Sequence, residues 1–314
     1  MEKKKKQKTK IDWKKTWQLM KRNWILYLFL LPAVVYIGTF MYAPMYGLQI
    51  AFKNYAPGVG IWDSPWVGFQ WFERFFESPR FWQILGNTLT ISLYSLIVGF
   101  PLPILLALVI NDIQNTRVKK FSQTITYMPY FISTVVLVGM MSVFFSPNSG
   151  IVNTLLRLFG GEGNTFFMGD PAYFRHLYVW SGIWQGMGWN SIIYIAALSS
   201  VSPELHEAAM IDGANKVQRI WYVDLPSIMP TIIILFILNC GNILSVGYEK
   251  VFLMQNNLNS TVSEVISTYV YQMGIQRQQF SYSAAIGLFN NIVNFTLIML
   301  VNKISKKLSG SGLW

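Results

Sequence analysis

Residues 81–111 read FWQILGNTLTISLYSLIVGFPLPILLALVIN, and this run contains no Asp, Glu, Lys or Arg. The hydrocarbon core of a bilayer is about 30 Å thick, and roughly 20 apolar residues in a helix are needed to cross it. The run exceeds that length. It therefore predicts a transmembrane helix.

Five other long intervals share this absence of charge. Charged residues make up 12% of the whole chain and apolar residues 53%, and the charged share is about half that of an average soluble domain. A soluble bundle of buried helices is the alternative, but such helices usually run shorter and carry polar faces. The sequence thus predicts an all-α polytopic membrane protein with six transmembrane helices. They are expected at about 25–45, 87–110, 121–145, 177–200, 228–247 and 283–304.

Lys and Arg residues cluster at the ends of these spans, and such clusters set orientation in a bilayer. If the Lys-rich start lies inside, the inner segments hold 18 of these residues and the outer segments hold 7. The opposite orientation inverts that bias, so both termini are predicted to be cytoplasmic. This placement explains the formal net charge of +11 better than nucleic-acid binding does.

The segment 201–226 joins the fourth and fifth predicted spans and has a predictable local shape. Ser202 can cap a helix, and Pro203 suits the first helical position. About ten helical residues follow before Gly213, which permits a sharp turn that a side chain would obstruct. A second short helix is expected to end at the Leu-Pro pair 225–226, because proline restricts the residue before it.

The same segment reads SPELHEAAMIDGA at 202–214 and VDLP at 223–226. Glu-Ala-Ala, followed at fixed spacing by Gly, an aliphatic residue and Leu-Pro, is similar to the EAA loop of permeases in ABC-type importers. The one departure is Val223, where isoleucine is usual. The resemblance covers nearly the whole chain, and segments such as 42–47 and 211–214 resemble maltose-type permeases that serve the uptake of oligosaccharides from complex polysaccharides.

This resemblance implies the type I ABC-importer permease fold, with the EAA helix docked in a cleft of a separate ATPase subunit. It implies a complex with a second permease subunit as a heterodimer, two ABC ATPase subunits and an extracytoplasmic solute-binding lipoprotein. The expected cargo is an oligosaccharide, and the expected location is the bacterial cell membrane. The residues implied in ATPase coupling are Glu207, Ala208, Ala209, Asp212, Gly213, Leu225 and Pro226.

The chain has no Gly-x-x-x-x-Gly-Lys-Ser/Thr sequence and thus no P-loop of its own. ATP and Mg are therefore expected on the partner ATPase subunits, and this chain is predicted to be a transport subunit, not an enzyme, with no bound cofactor and no catalytic residue. Cys240 is the only cysteine, and His176 and His206 are the only histidines. A His/Cys metal site is not expected.

The cores of the predicted spans hold no ionisable residues, which counts against an ion-coupled carrier and fits a neutral solute. They hold amide and aromatic groups. Amides offer donors and acceptors to hydroxyl groups, and aromatic faces stack on sugar rings, although polar residues also often join transmembrane helices to one another. The candidate substrate-path residues are Trp184, Gln185, Asn190, Tyr194, Asn239, Asn242, Asn290 and Asn294.

Three alternatives remain open at this point. Within the importer class, a permease for an amino acid or another small solute is the nearest alternative. A secondary carrier would require intramembrane charge and inverted repeats, and neither is evident. A membrane-embedded enzyme would need clustered acidic or His residues near a membrane face, but the acidic residues of the inner side belong to loops and the EAA motif.

Two outer segments are long enough to have structure of their own. The segment 54–80 is too aromatic for a free loop and is expected to lie against the membrane or a partner. The outer loop 248–282 has amphipathic stretches and is expected to meet the solute-binding protein or to pack over the other permease. The chain as a whole is divided into a cytoplasmic basic N-terminal arm (1–23), a six-helix permease domain (24–304, with the coupling loop 201–226) and a cytoplasmic C-terminal tail (305–314).

Overall fold

The computed structural model of the chain describes residues 13–310, 312 and 313. Most of the predicted basic arm, residues 1–12, lies outside the described part. Within residues 13–310 the secondary structure is helical, apart from one isolated bridge between Lys53 and Trp66. The helices in chain order are α1 (Trp13–Arg22), α2 (Trp24–Phe52), α3 (Gly60–Asp63), α4 (Gln70–Phe76), α5 (Phe81–Asn111), α6 (Thr116–Phe131), α7 (Thr134–Phe144), α8 (Ile151–Leu158), α9 (Pro171–Leu198), α10 (Pro203–Ile211), α11 (Lys216–Cys240), α12 (Tyr248–Met254), α13 (Ser260–Ser263), α14 (Ile266–Tyr271) and α15 (Phe280–Ser309).

Four of the predicted spans coincide with single helices that have the length and composition to cross a membrane. Within the described residues, α2, α5, α11 and α15 each meet both requirements, and the bent pair α6 and α7 adds a fifth crossing if it is one span. This arrangement confirms the prediction of an all-α polytopic membrane protein. Helix α15 continues to Ser309, so the first residues of the predicted tail (305–314) are helical.

The fourth predicted span is α9, which is long enough but less apolar than the others. Its 28 residues extend about 42 Å at 1.5 Å per residue. It packs against α5, α6, α11, α12 and α13, while Trp180, Trp184 and Ile193 remain 45–51% exposed. At Gly188 the backbone of α9 lies so close to α6 that a Cβ atom would overlap the Thr126 carbonyl group. Small residues suit such a contact, because they let two helix backbones approach closely.

The third predicted span is broken. Helices α6 and α7 meet at 94° on either side of Ile132 and Ser133. A break at membrane depth needs partners for its backbone groups, because lipid offers none. The Ser133 hydroxyl accepts from the Val136 amide (3.3 Å), and the Gln185 side chain donates to the Ile132 carbonyl oxygen (2.7 Å). The break is therefore held by α9.

Helix α11 contradicts the prediction that a short helix ends at the Leu-Pro pair 225–226. The chain stays helical from Lys216 to Cys240. A π-helical turn at Ile220–Asp224 absorbs one extra residue, and the Leu225 amide bonds to the Ile220 carbonyl oxygen. Pro226 has no amide hydrogen and would clash with a normal preceding turn. The wider turn lets the coupling loop run into the span without a break.

Both outer segments pack against their own chain. Phe75 of α4 is 1% exposed and lies in a buried cluster with Phe81, Tyr282 and Ile286. Other aromatic side chains of this segment remain exposed, among them Trp62, Trp66 and Phe69. For these side chains, contact with the membrane or a partner stays a prediction.

The loop 248–282 folds into the three short helices α12, α13 and α14. Val251, Val265 and Ile266 are buried. Glu264 separates α13 from α14, and its carboxylate lies 3.2 Å from the Arg80 guanidinium. Burial raises the pKa of this carboxyl group above its ordinary value, and the arginine opposes that shift. The loop is thus a structural part of the bundle.

Candidate functional site

The coupling loop begins at α10. Pro203 occupies the first helical position as predicted. Ser202 occupies the N-cap position, but its side chain makes no hydrogen bond to the helix, so the predicted side-chain cap was wrong. The Leu205 amide instead donates to the Ser202 backbone carbonyl oxygen at 3.2 Å.

The turn that ends α10 has the conformation expected of glycine. Gly213 has a φ of +82°, which L side chains rarely adopt. The Ala214 amide donates to the Ala209 carbonyl oxygen (2.9 Å), and the Gly213 amide donates to that of Met210 (3.1 Å). This pair of bonds is a Schellman cap. The predicted sharp turn at Gly213 is therefore confirmed.

The surface of the coupling loop combines acidic and large apolar side chains. Glu207 and Asp212 are exposed, and Ile211 and Tyr222 of the same loop are 86% and 80% exposed. An exposed apolar patch with a polar rim is typical of an interaction site. The other residues that the motif singles out share this surface: Ala208, Gly213 and Pro226 are exposed, and Ala209 and Leu225 are half-buried.

Two polar side-chain contacts link α10, α11 and the end of α5 around the coupling loop. The imidazole Nε2 of His206 on α10 lies 3.2 Å from the Asp224 carboxylate on α11, and the Asp224 side chain is only 8% exposed. The Lys216 ammonium lies 3.1 Å from the carboxylate of Asp112, just after α5. Sequence reasoning missed these pairs, because the partners are far apart along the chain and the acidic residues were assigned to loops. The first contact joins α10 to α11, and the second joins the start of α11 to the residue after α5.

A cavity of about 780 Å³ lies between α5, α9 and α11. Along α9 its wall extends from Tyr178 to Tyr194, which is roughly 24 Å of helix. Helix α5 adds the hydroxyl groups of Ser92 and Ser95. The cavity therefore extends along the length of α9.

Five of the eight predicted substrate-path residues come together in this cavity. The amide groups of Asn239 and Asn242 donate to carbonyl oxygens one turn earlier on α11, at 2.8 and 3.0 Å. An aromatic face is supplied by Trp189, which stacks on Tyr130 with ring centroids 4.5 Å apart. The five predicted residues that line the cavity are Gln185, Asn190, Tyr194, Asn239 and Asn242.

The other three predicted path residues lie outside the cavity lining. Asn294 on α15 has a packing role, because its side chain accepts from the Leu244 amide (3.1 Å) and donates to the Ser245 hydroxyl (2.9 Å). Asn290 is on the same helix, and Trp184 is on α9 but 45% exposed. Sequence periodicity placed these residues on spans but did not show which face of each span meets the cavity.

Lys250 lines the cavity although the sequence placed it in an outer loop. It lies on α12, which follows the end of α11 and returns the chain towards α9. Its ammonium donates to the Tyr178 carbonyl oxygen at 2.7 Å and lies 4.7 Å from the centre of the Tyr178 ring. The glycines before it, Gly241 and Gly247, were a signal that the chain turns there.

Two proteins of Bacillus subtilis (strain 168) are similar to this chain over most of their length. The protein LplB is 42% identical over 295 residues, which are 94% of this chain and 92% of LplB. The polygalacturonan/rhamnogalacturonan transport system permease protein YteP is 42% identical over 289 residues, which are 92% of this chain and 90% of YteP.

A solved structure is also similar to this chain over nearly its whole length. A chain from the crystal structure of a bacterial alginate ABC transporter, in complex with an alginate pentasaccharide-bound periplasmic protein, is 39% identical to this chain with a TM-score of 0.87. The match covers 95% of this chain and 99% of that one. Residues 99–310 match the family model described as binding-protein-dependent transport system inner membrane component. The chain belongs to this family, which comprises permease subunits of ABC importers.

Proposed function

We propose that this chain forms the translocation path for an oligosaccharide and couples its import to ATP hydrolysis by separate subunits. The lining of the cavity carries this proposal. Amide, hydroxyl and aromatic groups along roughly 24 Å of helix match a solute that is rich in hydroxyl groups and longer than one sugar ring. The names of YteP and of the alginate transporter, which refer to polysaccharides, support the same substrate class.

Substrate contact is assigned to the cavity residues Gln185, Asn190, Tyr194, Asn239 and Asn242. Gln185 also holds the break between α6 and α7. In this proposal, a solute that binds Gln185 acts next to the break between α6 and α7. Trp184, Asn290 and Asn294 receive no direct contact in this proposal, because they lie outside the cavity lining.

The coupling role is assigned to the exposed surface of the loop 201–226. In our proposal Glu207 binds the ATPase subunit, while Gly213 sets the direction of the docked helix. Closure of two ATPase subunits would pull on α10, and the pairs at Asp224 and Asp112 would pass that movement to α11 and α5. ATP and Mg bind the ATPase subunits in this scheme, and this chain supplies no ATPase site of its own.

The proposed complex has a second permease, two ATPase subunits and an extracytoplasmic solute-binding lipoprotein in the bacterial cell membrane. Both termini of this chain would be cytoplasmic, on the side of the coupling loop. The excess of Lys and Arg in the segments on that side supports this orientation.

A tagged chain isolated from its native membranes tests the proposal. We expect a second permease and a P-loop ATPase to copurify, and hydrolysis to increase when the binding protein is loaded with an oligosaccharide. Recovery of the folded chain alone, without hydrolysis, would refute coupling. If an amino acid stimulated ATP hydrolysis and an oligosaccharide did not, the proposed substrate class would be wrong. The assignment of the chain as an importer permease would still hold.

A further inference from the structure

We propose that Lys250 is a carboxylate-binding site within the translocation cavity, so that the transported oligosaccharide contains acidic sugar residues. This inference rests on the proposed function, since it narrows the substrate class of the same cavity. It departs from the expectation of a neutral solute, which rested on the absence of charge from the spans themselves.

The position of Lys250 places its charge on the substrate side of the bundle. The ammonium lies against α9 near Gly182, where a Cβ atom would come within 3.1 Å of the Nζ atom. Tyr178, Gly182 and Gly247 line the cavity together with Lys250. The ammonium therefore lies at the end of the cavity farthest from the coupling loop, where a solute would enter.

Hydrogen bonding leaves Lys250 capacity for a ligand. An ammonium group has three donors. Among the described residues its recorded acceptor is the Tyr178 carbonyl oxygen at 2.7 Å, and the tyrosine ring covers another side. The two remaining donors match the oxygens of a carboxylate.

Electrostatics favours an anion at this site. No Asp or Glu is among the described residues that line the cavity. Burial lowers the pKa of Lys250 to about 8, so the amine still carries its charge at neutral pH but lacks a compensating partner. An entering carboxylate would supply that partner, and a charge-assisted hydrogen bond is about twice as strong as a neutral one.

Lys53 provides a matched control within the same chain. It is also buried, its ammonium donates to the Ile61 carbonyl oxygen at 2.6 Å, and it lies over the Trp66 ring. It differs from Lys250 because it is not part of the cavity lining. Substitution of either lysine removes similar structural contacts, but only Lys250 would affect the selection of the solute.

The test uses the complete transporter with its binding protein, purified from native membranes and reconstituted in proteoliposomes. The probes are uronate oligosaccharides released from pectin and alginate, and the same mixture after chemical reduction of its carboxyl groups. Uptake of each is measured by mass spectrometry. We expect the unmodified transporter to favour the acidic mixture by about tenfold or more, which corresponds to about 1.4 kcal/mol.

The variants separate a binding role from a structural one. We expect Lys250→Gln to reduce the ratio of acidic to neutral uptake by about tenfold and Lys250→Arg to retain much of it, because both cations bind carboxylates. Lys53→Gln should leave the ratio unchanged even if it lowers both rates. An unchanged ratio in Lys250→Gln would overturn the inference.

The two proposals also fail differently. If only the reduced mixture were imported, the proposal of an acidic substrate would be wrong. The proposal that the chain is an oligosaccharide permease would still hold. Absence of uptake of either mixture, from a complex whose ATPase responds to another solute, would overturn both.

Discussion

Glu207 and Lys250 are charged residues with opposite surroundings. Glu207 is exposed on the loop 201–226, whereas Lys250 is largely enclosed by its own chain. Sequence reasoning found the first, because the Glu-Ala-Ala spacing marks it. It missed the second, because no spacing rule shows that an outer-loop lysine turns back onto Tyr178.

Reversal of the charge at Glu207 should uncouple the transporter. We expect Glu207→Lys to lower solute-stimulated ATP hydrolysis by about tenfold or more, because a lost hydrogen bond to a charged group costs roughly 1.5–3 kcal/mol. Membrane insertion should persist, since the residue is exposed. Hydrolysis and transport are measured on the same membranes.

Glu204→Lys is the control for that prediction. Glu204 is exposed on the same helix but outside the motif residues. Reversal of the Glu204 charge at the start of the helix costs about 0.3–1 kcal/mol of helix stability. Most of the solute-stimulated ATP hydrolysis should therefore remain. If the Glu207→Lys variant transported at the normal rate, the proposed coupling role of Glu207 would be wrong.

The charge on Lys250 predicts how acidic uptake depends on pH. Because burial lowers its pKa to about 8, the positive charge is present below that pH and lost above it. The ratio of acidic to neutral uptake should therefore fall as the pH is raised from about 7 to about 9. Lys250→Arg should remove this dependence, because the guanidinium stays protonated. A similar fall in the arginine variant would point to another titrating group.

At the scale of elements, sequence patterning predicted the spans better than their interruptions. Absence of charge located α2, α5, α11 and α15, because bilayer thickness sets the length of such runs. The break after α6 and the π-helical turn before Pro226 depend on contacts with other elements, and these contacts are not local in sequence. The same is true of Gln185, which was expected to face the solute and also holds the α6–α7 break.

The contact between α9 and α6 can be tested through its glycine. Gly188→Ala should lower stability by about 1–3 kcal/mol, because the new methyl group overlaps the Thr126 carbonyl group and overpacking has a cost of that order. Gly139→Ala in α7 is the control: no atom lies within 4 Å of its Cβ position, so stability should hold or rise slightly. Thermal unfolding of the detergent-solubilised protein measures both. If Gly188→Ala and the parent protein melted at the same temperature, the prediction would be wrong. It would mean that α9 and α6 can move apart at this contact without a loss of stability.

At the scale of the whole molecule, the open question is how many times the chain crosses the membrane before the coupling loop. If α2, α5, the bent pair and α9 all cross, the start of the chain and the loop lie on the same side. If the bent pair enters and leaves from one face, they lie on opposite sides. Cys240 is buried and is the only cysteine, so cysteines introduced at the surface can report this through a membrane-impermeant maleimide.

We expect Trp13→Cys and Val217→Cys to be labelled only in inside-out vesicles, and Leu258→Cys only from the outside of intact cells. These three side chains are 75%, 62% and 63% exposed, so access to each depends mainly on its side of the membrane. Val217 and Leu258 lie on opposite sides of span α11, whichever way the α6–α7 pair is arranged. Labelling of these two cysteines from opposite sides therefore confirms that the vesicles are inside-out. Labelling of Trp13→Cys and Val217→Cys from opposite sides would make the α6–α7 pair a re-entrant hairpin. Labelling of Val217→Cys from outside would reverse the orientation and remove the coupling loop from contact with any cytoplasmic ATPase.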